Sequence, residues 1–117
     1  MLIREVKEIL KADVLCGEEL LDTQEVHSAC GSDLMSDVLA YVKDQGLLLT
    51  GLLNLQVIRT VDMMDMKCVV FVRGKRPDDT ICRLAETRGV VVMSTPYRMY
   101  TACGLLFKHG LNGEEGD

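Results

Sequence analysis

The chain has 117 residues, 48% of them hydrophobic and 26% charged, with a formal net charge of −5 at pH 7. That length buries one core and is too short for two ordinary domains, and apolar runs such as "CVVFV" and "GVVVM" fall far below a membrane span. The acidic balance, with two Phe, three Tyr and no Trp, argues against a nucleic-acid binder, which needs a basic face and stacking aromatics.

At the N-terminus, "MLIREVKEILK" places Ile3, Val6, Ile9 and Leu10 on one face of a helix and its charges elsewhere. The segment lacks an apolar h-region and a small-residue cleavage site, so it reads as part of the fold rather than a signal peptide, and the expected location is the cytoplasm. "DVLCG" follows as a short extended piece, and "EELLDTQ" as a loop or single turn. "EVHSACG" alternates Val26, Ser28 and Cys30 against His27 and Ala29, the pattern of a weak strand. In "GSDLMSDVLAYV", Gly31 permits a turn, Ser32 is placed to cap a helix, and Asp33 and Asp37 suit its positive end. Leu34, Met35, Val38, Leu39 and Val42 repeat as its inner face, leaving Ser36, Asp37, Ala40 and Lys43 outward.

From residue 46 onward a strand-loop-helix unit occurs three times. "LLLTG" precedes "LNLQVIRTVDMMD", "CVVFVRGKRP" precedes "DDTICRLAETRG", and "VVVMST" precedes "PYRMYTACGLLFKHG", with strands beginning near Leu47, Cys68 and Val90. Val and Leu runs without polar alternation suit strands covered on both faces, which a parallel sheet between helix layers requires. Asn54, Asp78 and the Thr95-Pro96 pair supply the helix starts. The inner faces are Val57, Ile58, Val61 and Met64, then Ile81, Cys82, Leu84 and Ala85, then Met99, Tyr100, Cys103, Leu106 and Phe107. A domain over residues 1–111 is expected, with an acidic tail over 112–117 that frays.

Right-handed crossovers put the three strand-to-helix loops on one edge of the sheet, where ligands of open α/β sheets bind. Thr50-Gly51, Arg73 to Arg76 and Ser94-Thr95 therefore converge. "VRGKRPDD" sets three of the thirteen Lys and Arg residues within four positions beside a glycine, in an otherwise acidic chain. The expected ligand residues are Gly51, Arg73, Gly74, Lys75, Arg76, Ser94 and Thr95, with Ser32 and Asp33 at the margin; the alternative is that the cations are solvated loop charges paired with Asp78, Asp79 or the tail. Neither a Walker-type loop nor a dinucleotide glycine fingerprint occurs.

Other chemistry finds little support. The five cysteines, Cys16, Cys30, Cys68, Cys82 and Cys103, form no C-x-x-C pair, which leaves them as small apolar residues of a reducing compartment, with no metal or cofactor expected. His27 lies close in sequence to Ser28, Cys30, Ser32 and Asp33, so a small phosphotransfer or hydrolytic activity at Asp33, His27 or Ser32 is the enzyme alternative. His109 beside Lys108 suits the negative end of the last helix.

The succession of a short helix, "VLCGEELLD", a strand ending in "CGSDLMSDVLAYV", then "LLLTG", "CVVFVRGKRPD" and "VVVMSTPYRMYTACGLL" resembles the DRTGG domain, from about Ile3 to Leu111. That domain is similar in fold to the N-terminal, non-catalytic domain of HPr kinase/phosphorylase. The family takes its name from a Gly-Asp-Arg element after one strand and a Thr-Gly-Gly element after the next. Here Gly51 is followed by Leu52 and Leu53, and Arg73-Gly74-Lys75 stands in the second place, so Gly51, Gly74 and Arg76-Pro77-Asp78 keep the pattern. The resemblance implies a three-layer α/β/α fold with a mainly parallel sheet and a regulatory or ligand-sensing role without catalysis. The converging loops and the cations of "VRGKRPDD" point to an anionic metabolite or nucleotide as the ligand. Alternatively, the exposed Leu52-Leu53 pair would contact a partner enzyme regulated in trans. A chain this small and this apolar is also expected to form a homodimer.

Overall fold

A computed structural model describes residues 1–41 and 46–113. The elements run α1 (Ile3–Leu10), β1 (Asp13–Cys16), a 3-10 turn (Glu18–Leu20), β2 (Ser28–Gly31), α2 (Met35–Tyr41), β3 (Gly46–Thr50), α3 (Leu55–Met63), β4 (Cys68–Phe71), α4 (Asp79–Thr87), β5 (Val91–Ser94) and α5 (Met99–Lys108). Two helix starts follow the local chemistry read from the sequence. The Asn54 side chain accepts from the Val57 N–H at 3.2 Å, and the Asp78 carboxylate accepts from the Ile81 N–H at 3.0 Å. Each satisfies an N–H that the first turn leaves without a helical partner.

The five strands form one sheet in the order β1-β5-β4-β3-β2. Parallel pairing joins β2 to β3, β3 to β4 and β4 to β5, while β1 runs antiparallel to β5. Every residue of β3, β4 and β5 is buried, which explains why their sequences carry no polar alternation. One face of the sheet packs Leu47, Leu49, Val70 and Met93 against Ile3, Val6 and Leu10 of α1 and Ala102 and Leu106 of α5. The other packs Leu48, Val69, Phe71 and Val92 against Met35 and Val38 of α2, Val57, Ile58 and Val61 of α3, and Ile81 and Ala85 of α4. This is the three-layer α/β/α fold with a mainly parallel sheet. Among the described residues, no helix is long and apolar enough to cross a membrane.

Several local expectations change. Thr95-Pro96 does not start a helix: α5 begins at Met99, and the Thr95 hydroxyl donates to the Leu10 carbonyl at 2.6 Å. Ser32 does not cap α2 either, since its hydroxyl accepts from the Leu34 N–H at 3.0 Å and so closes a turn ahead of the helix. Leu34 and Leu39 are exposed, because α2 covers the edge of the sheet and turns only Met35 and Val38 onto it. Tyr100 and Phe107 likewise point outward from α5. Val42, Lys43 and residues 114–117 lie outside the described residues. The Ala29 N–H donates to the Asn112 carbonyl at 3.0 Å, so the chain runs beside β2 after α5 ends.

Candidate functional site

Parallel register brings the strand ends level. Gly31 stands opposite Leu49, Thr50 opposite Phe71, and Phe71 opposite Ser94. The ladder continues one step into the loops, with Ser32 N–H on Leu49 O, Val72 N–H on Thr50 O and Thr95 N–H on Phe71 O, at 3.0, 3.0 and 2.9 Å. Four loops from distant parts of the sequence therefore leave the same edge together.

Their centre is Gly51. Its N–H donates to Asp33 Oδ1 at 2.7 Å, and its carbonyl accepts from Lys75 Nζ at 2.8 Å. The Thr50 hydroxyl also donates to Asp33 Oδ1, at 3.1 Å, and accepts from the Leu52 N–H at 3.1 Å. Asp33 thus holds the loop after β3 from one side and Lys75 from the other. A Cβ at position 51 would stand 3.2 Å from Arg73 Nη2 and 3.6 Å from both Asp33 Oδ1 and Lys75 Nζ. Asp33 and Lys75 would stand at ordinary contact distance from such a Cβ, and only the Arg73 guanidinium approaches more closely than a side chain there would readily allow.

The loop carrying the cations has an unusual backbone. Arg73 and Gly74 have φ of 59° and 68°, a left-handed pair that costs a non-glycine residue steric energy. Three hydrogen bonds fix it: Arg73 N–H to Tyr97 O at 2.8 Å, Gly74 N–H to Thr95 O at 2.7 Å, and Lys75 N–H to Val72 O at 3.2 Å. Those amides are spent inside the fold, so the loop is not a backbone cradle for phosphate, and its anion chemistry resides in side chains. The Arg73 guanidinium is exposed, with no carboxylate or hydrogen-bond partner among the described residues.

The remaining expected ligand residues are engaged elsewhere. Arg76 pairs with Asp13 of β1 rather than with Asp78, Asp79 or the tail. The Ser94 hydroxyl donates to the Lys75 carbonyl at 2.8 Å and Thr95 is fully buried on Leu10, so both brace the loop. Ser32 lies behind Asp33 in its turn. Thr50, placed by its sequence in a converging loop but not among the expected ligand residues, braces Gly51 through Asp33, and the Tyr97 carbonyl, which nothing local marks, holds the Arg73 amide.

The residues of the enzyme alternative do not assemble. His27 is exposed before β2, whereas Ser32 and Asp33 follow it, separated by a four-residue strand, about 13 Å of extended chain. His109 ends α5 with Nδ1 2.8 Å from the Leu105 carbonyl. Burial pushes the Cys16 thiol up to about 11 and raises Cys68, Cys82 and Cys103 as well, the opposite of nucleophile activation. Among the described residues no cluster of three or more His, Cys, Asp or Glu is placed to hold a metal. Leu52 packs against the core, while Leu53 is 40% exposed.

A mainly parallel α/β/α sandwich that gathers one carboxylate and two cations around a glycine at its strand ends defines a small α/β domain. The chain belongs to the DRTGG domain family, whose model matches residues 5–108. It is similar in fold to the CBS and DRTGG domains of the regulatory region of Clostridium perfringens pyrophosphatase, solved in complex with the activator diadenosine tetraphosphate. The TM-score is 0.65 at 14% sequence identity, over 86% of this chain and 44% of that chain, so the chain spans under half the length of that regulatory region. No curated protein matches the chain.

Proposed function

We propose that this DRTGG domain is a non-catalytic regulatory module that senses a phosphate-bearing metabolite or nucleotide at the corner formed by Gly51, Arg73 and Lys75. The observation that carries this reading is the Arg73 guanidinium, unpaired among the described residues and set against a glycine beside a second cation, in a chain of net charge −5. Lys75 has three ammonium donors and spends one on Gly51 O, leaving two for a ligand. Arg73 offers a planar fork that matches two phosphate oxygens. Asp33 orients Gly51 rather than touching the ligand. The activator of the similar pyrophosphatase region, a dinucleoside tetraphosphate, is chemistry of the same class.

A thermal-shift series with inorganic phosphate, mononucleotides and dinucleoside polyphosphates tests this. A ligand at a hundred times its dissociation constant adds about 2.7 kcal/mol, and Arg73→Ala with Lys75→Ala should abolish the gain. The reading fails if no phosphate compound moves Tm, or if the shift survives both substitutions.

A second reading, a protein partner regulated in trans, is favoured by Leu34 and Leu53, which are 58% and 40% exposed on the two loops that Asp33 and Gly51 tie together. Capture of a partner enzyme that Leu34→Glu with Leu53→Glu abolishes, with phosphates inert, would decide for it.

A further inference from the structure

The antiparallel strand β1 brings a fifth connection to the edge that carries the corner. Asp13, its first residue, stands opposite Ser94, the last residue of β5, so the turn from α1 into β1 lies beside the loops that follow the parallel strands. Hydrogen bonds weave these pieces together: the Thr95 hydroxyl on the Leu10 carbonyl at 2.6 Å, the Gly74 N–H on the Thr95 carbonyl at 2.7 Å, and the Arg73 N–H on the Tyr97 carbonyl at 2.8 Å. Lys11, Arg73 and Arg98 each sit on or next to a residue in that weave.

The five connections carry five cations, Lys11, Arg73, Lys75, Arg76 and Arg98, against two carboxylates, Asp33 and Asp78, with Asp13 and Asp79 at the adjoining element ends, in a chain of net charge −5. Asp33 accepts from Gly51, Asp78 caps α4 and Asp13 pairs with Arg76. Lys11, Arg73 and Arg98 are exposed, and their side chains have no ion pair or hydrogen-bond partner among the described residues. Backbone geometry singles out two of the three. Seven described residues have left-handed φ; four are glycines, and two of the other three are Lys11, at 50°, and Arg73, at 59°. Glycine adopts that conformation without the steric cost an L side chain meets. A cation held where the backbone favours no side chain points to use of that side chain.

We infer that the corner is one end of an oligophosphate track: Arg73 and Lys75 hold a terminal phosphate, and Lys11 and Arg98 hold phosphate further along the same chain. This rests on the reading of the corner as an anion site and adds the class of ligand, a run of linked phosphates rather than a lone phosphate ester. Each guanidinium presents a fork to two phosphate oxygens and each ammonium three donors. Orthophosphate is too short to meet both ends. Tyr97, the one aromatic residue of these connections, packs against the core, so no ring there is free to stack a base, and recognition falls on the phosphates.

Calorimetric titration of the full chain in metal-free buffer with orthophosphate, pyrophosphate, tripolyphosphate and ATP tests it. Affinity should rise by about tenfold or more from orthophosphate to tripolyphosphate, and ATP should stay within about threefold of tripolyphosphate. Lys11→Gly suits the left-handed backbone, so Tm should hold or rise while tripolyphosphate affinity falls about tenfold. Arg98→Gln should lower it similarly, and neither variant should change orthophosphate affinity by more than about twofold. Three results overturn the track: equal affinity for orthophosphate and tripolyphosphate, tripolyphosphate binding unchanged by Lys11→Gly with Arg98→Gln, or ATP bound far more tightly than tripolyphosphate. In each, loss of binding in Arg73→Ala would leave the corner itself standing. No binding of any phosphate compound overturns both readings together.

Discussion

Replacing Asp33 by alanine removes the acceptor for two donors, the buried Gly51 amide at 2.7 Å and the Thr50 hydroxyl at 3.1 Å. Leaving the Gly51 N–H without a partner costs about 2 kcal/mol, in the range for an orphaned donor to a charged acceptor. Thr50 keeps its bond from Leu52, so its loss adds about 0.5 kcal/mol. The sum, about 2.5 kcal/mol, corresponds to a fall in Tm of about 10 °C for a chain of this size. Asp33→Asn retains a neutral acceptor oxygen and should cost about 1 kcal/mol. If Asp33 were only a charge near the start of α2, alanine would cost about 0.5 kcal/mol and asparagine less. Urea denaturation at pH 7, followed by circular dichroism, distinguishes the two. Both variants remaining within about 0.5 kcal/mol of the parent would refute the latch.

Thr95→Val should destabilise by about 1–3 kcal/mol, because it orphans the Leu10 carbonyl and the Tyr97 N–H; phosphate affinity, measured by calorimetry on the folded variant, should stay within about twofold, and a larger loss would assign the hydroxyl to the ligand. The buried thiols make stability pH-dependent at the alkaline end. Cys16 is raised from 9.0 to about 11, so its neutral form favours folding: its contribution is intact below pH about 9 and is lost as pH rises towards 11. Urea midpoints against pH should show that decline flattened in Cys16→Ala. Native-state labelling at pH 8 should leave Cys16 and Cys68 unmodified, and rapid reaction at both would contradict their burial.

The residues that specified structure locally are those whose partners lie within a turn or along a strand. The uninterrupted Val and Leu of β3, β4 and β5 announced strands buried on both faces, and Asn54 and Asp78 announced helix starts, because a cap reaches only three residues. The order of those elements sufficed for the DRTGG resemblance and for the edge of the sheet where loops converge. Which residues of those loops remain available to a ligand depended on contacts between distant segments. Thr95 looked like a helix start until packing brought the Leu10 carbonyl, 85 positions away, to its hydroxyl. Asp33 looked like a helix-end charge until the parallel register of β2 and β3 set the Gly51 amide within its reach. The direction of an apolar side chain was undetermined for a similar reason. A helix as apolar as α5 presents several equivalent stripes, and only the sheet decided that Ala102 and Leu106 go inward while Tyr100 and Phe107 stay out. Composition and periodicity fix which elements form, since those energies are local; register and packing decide which polar groups each element leaves unspent, since those partners exist only once the chain has folded.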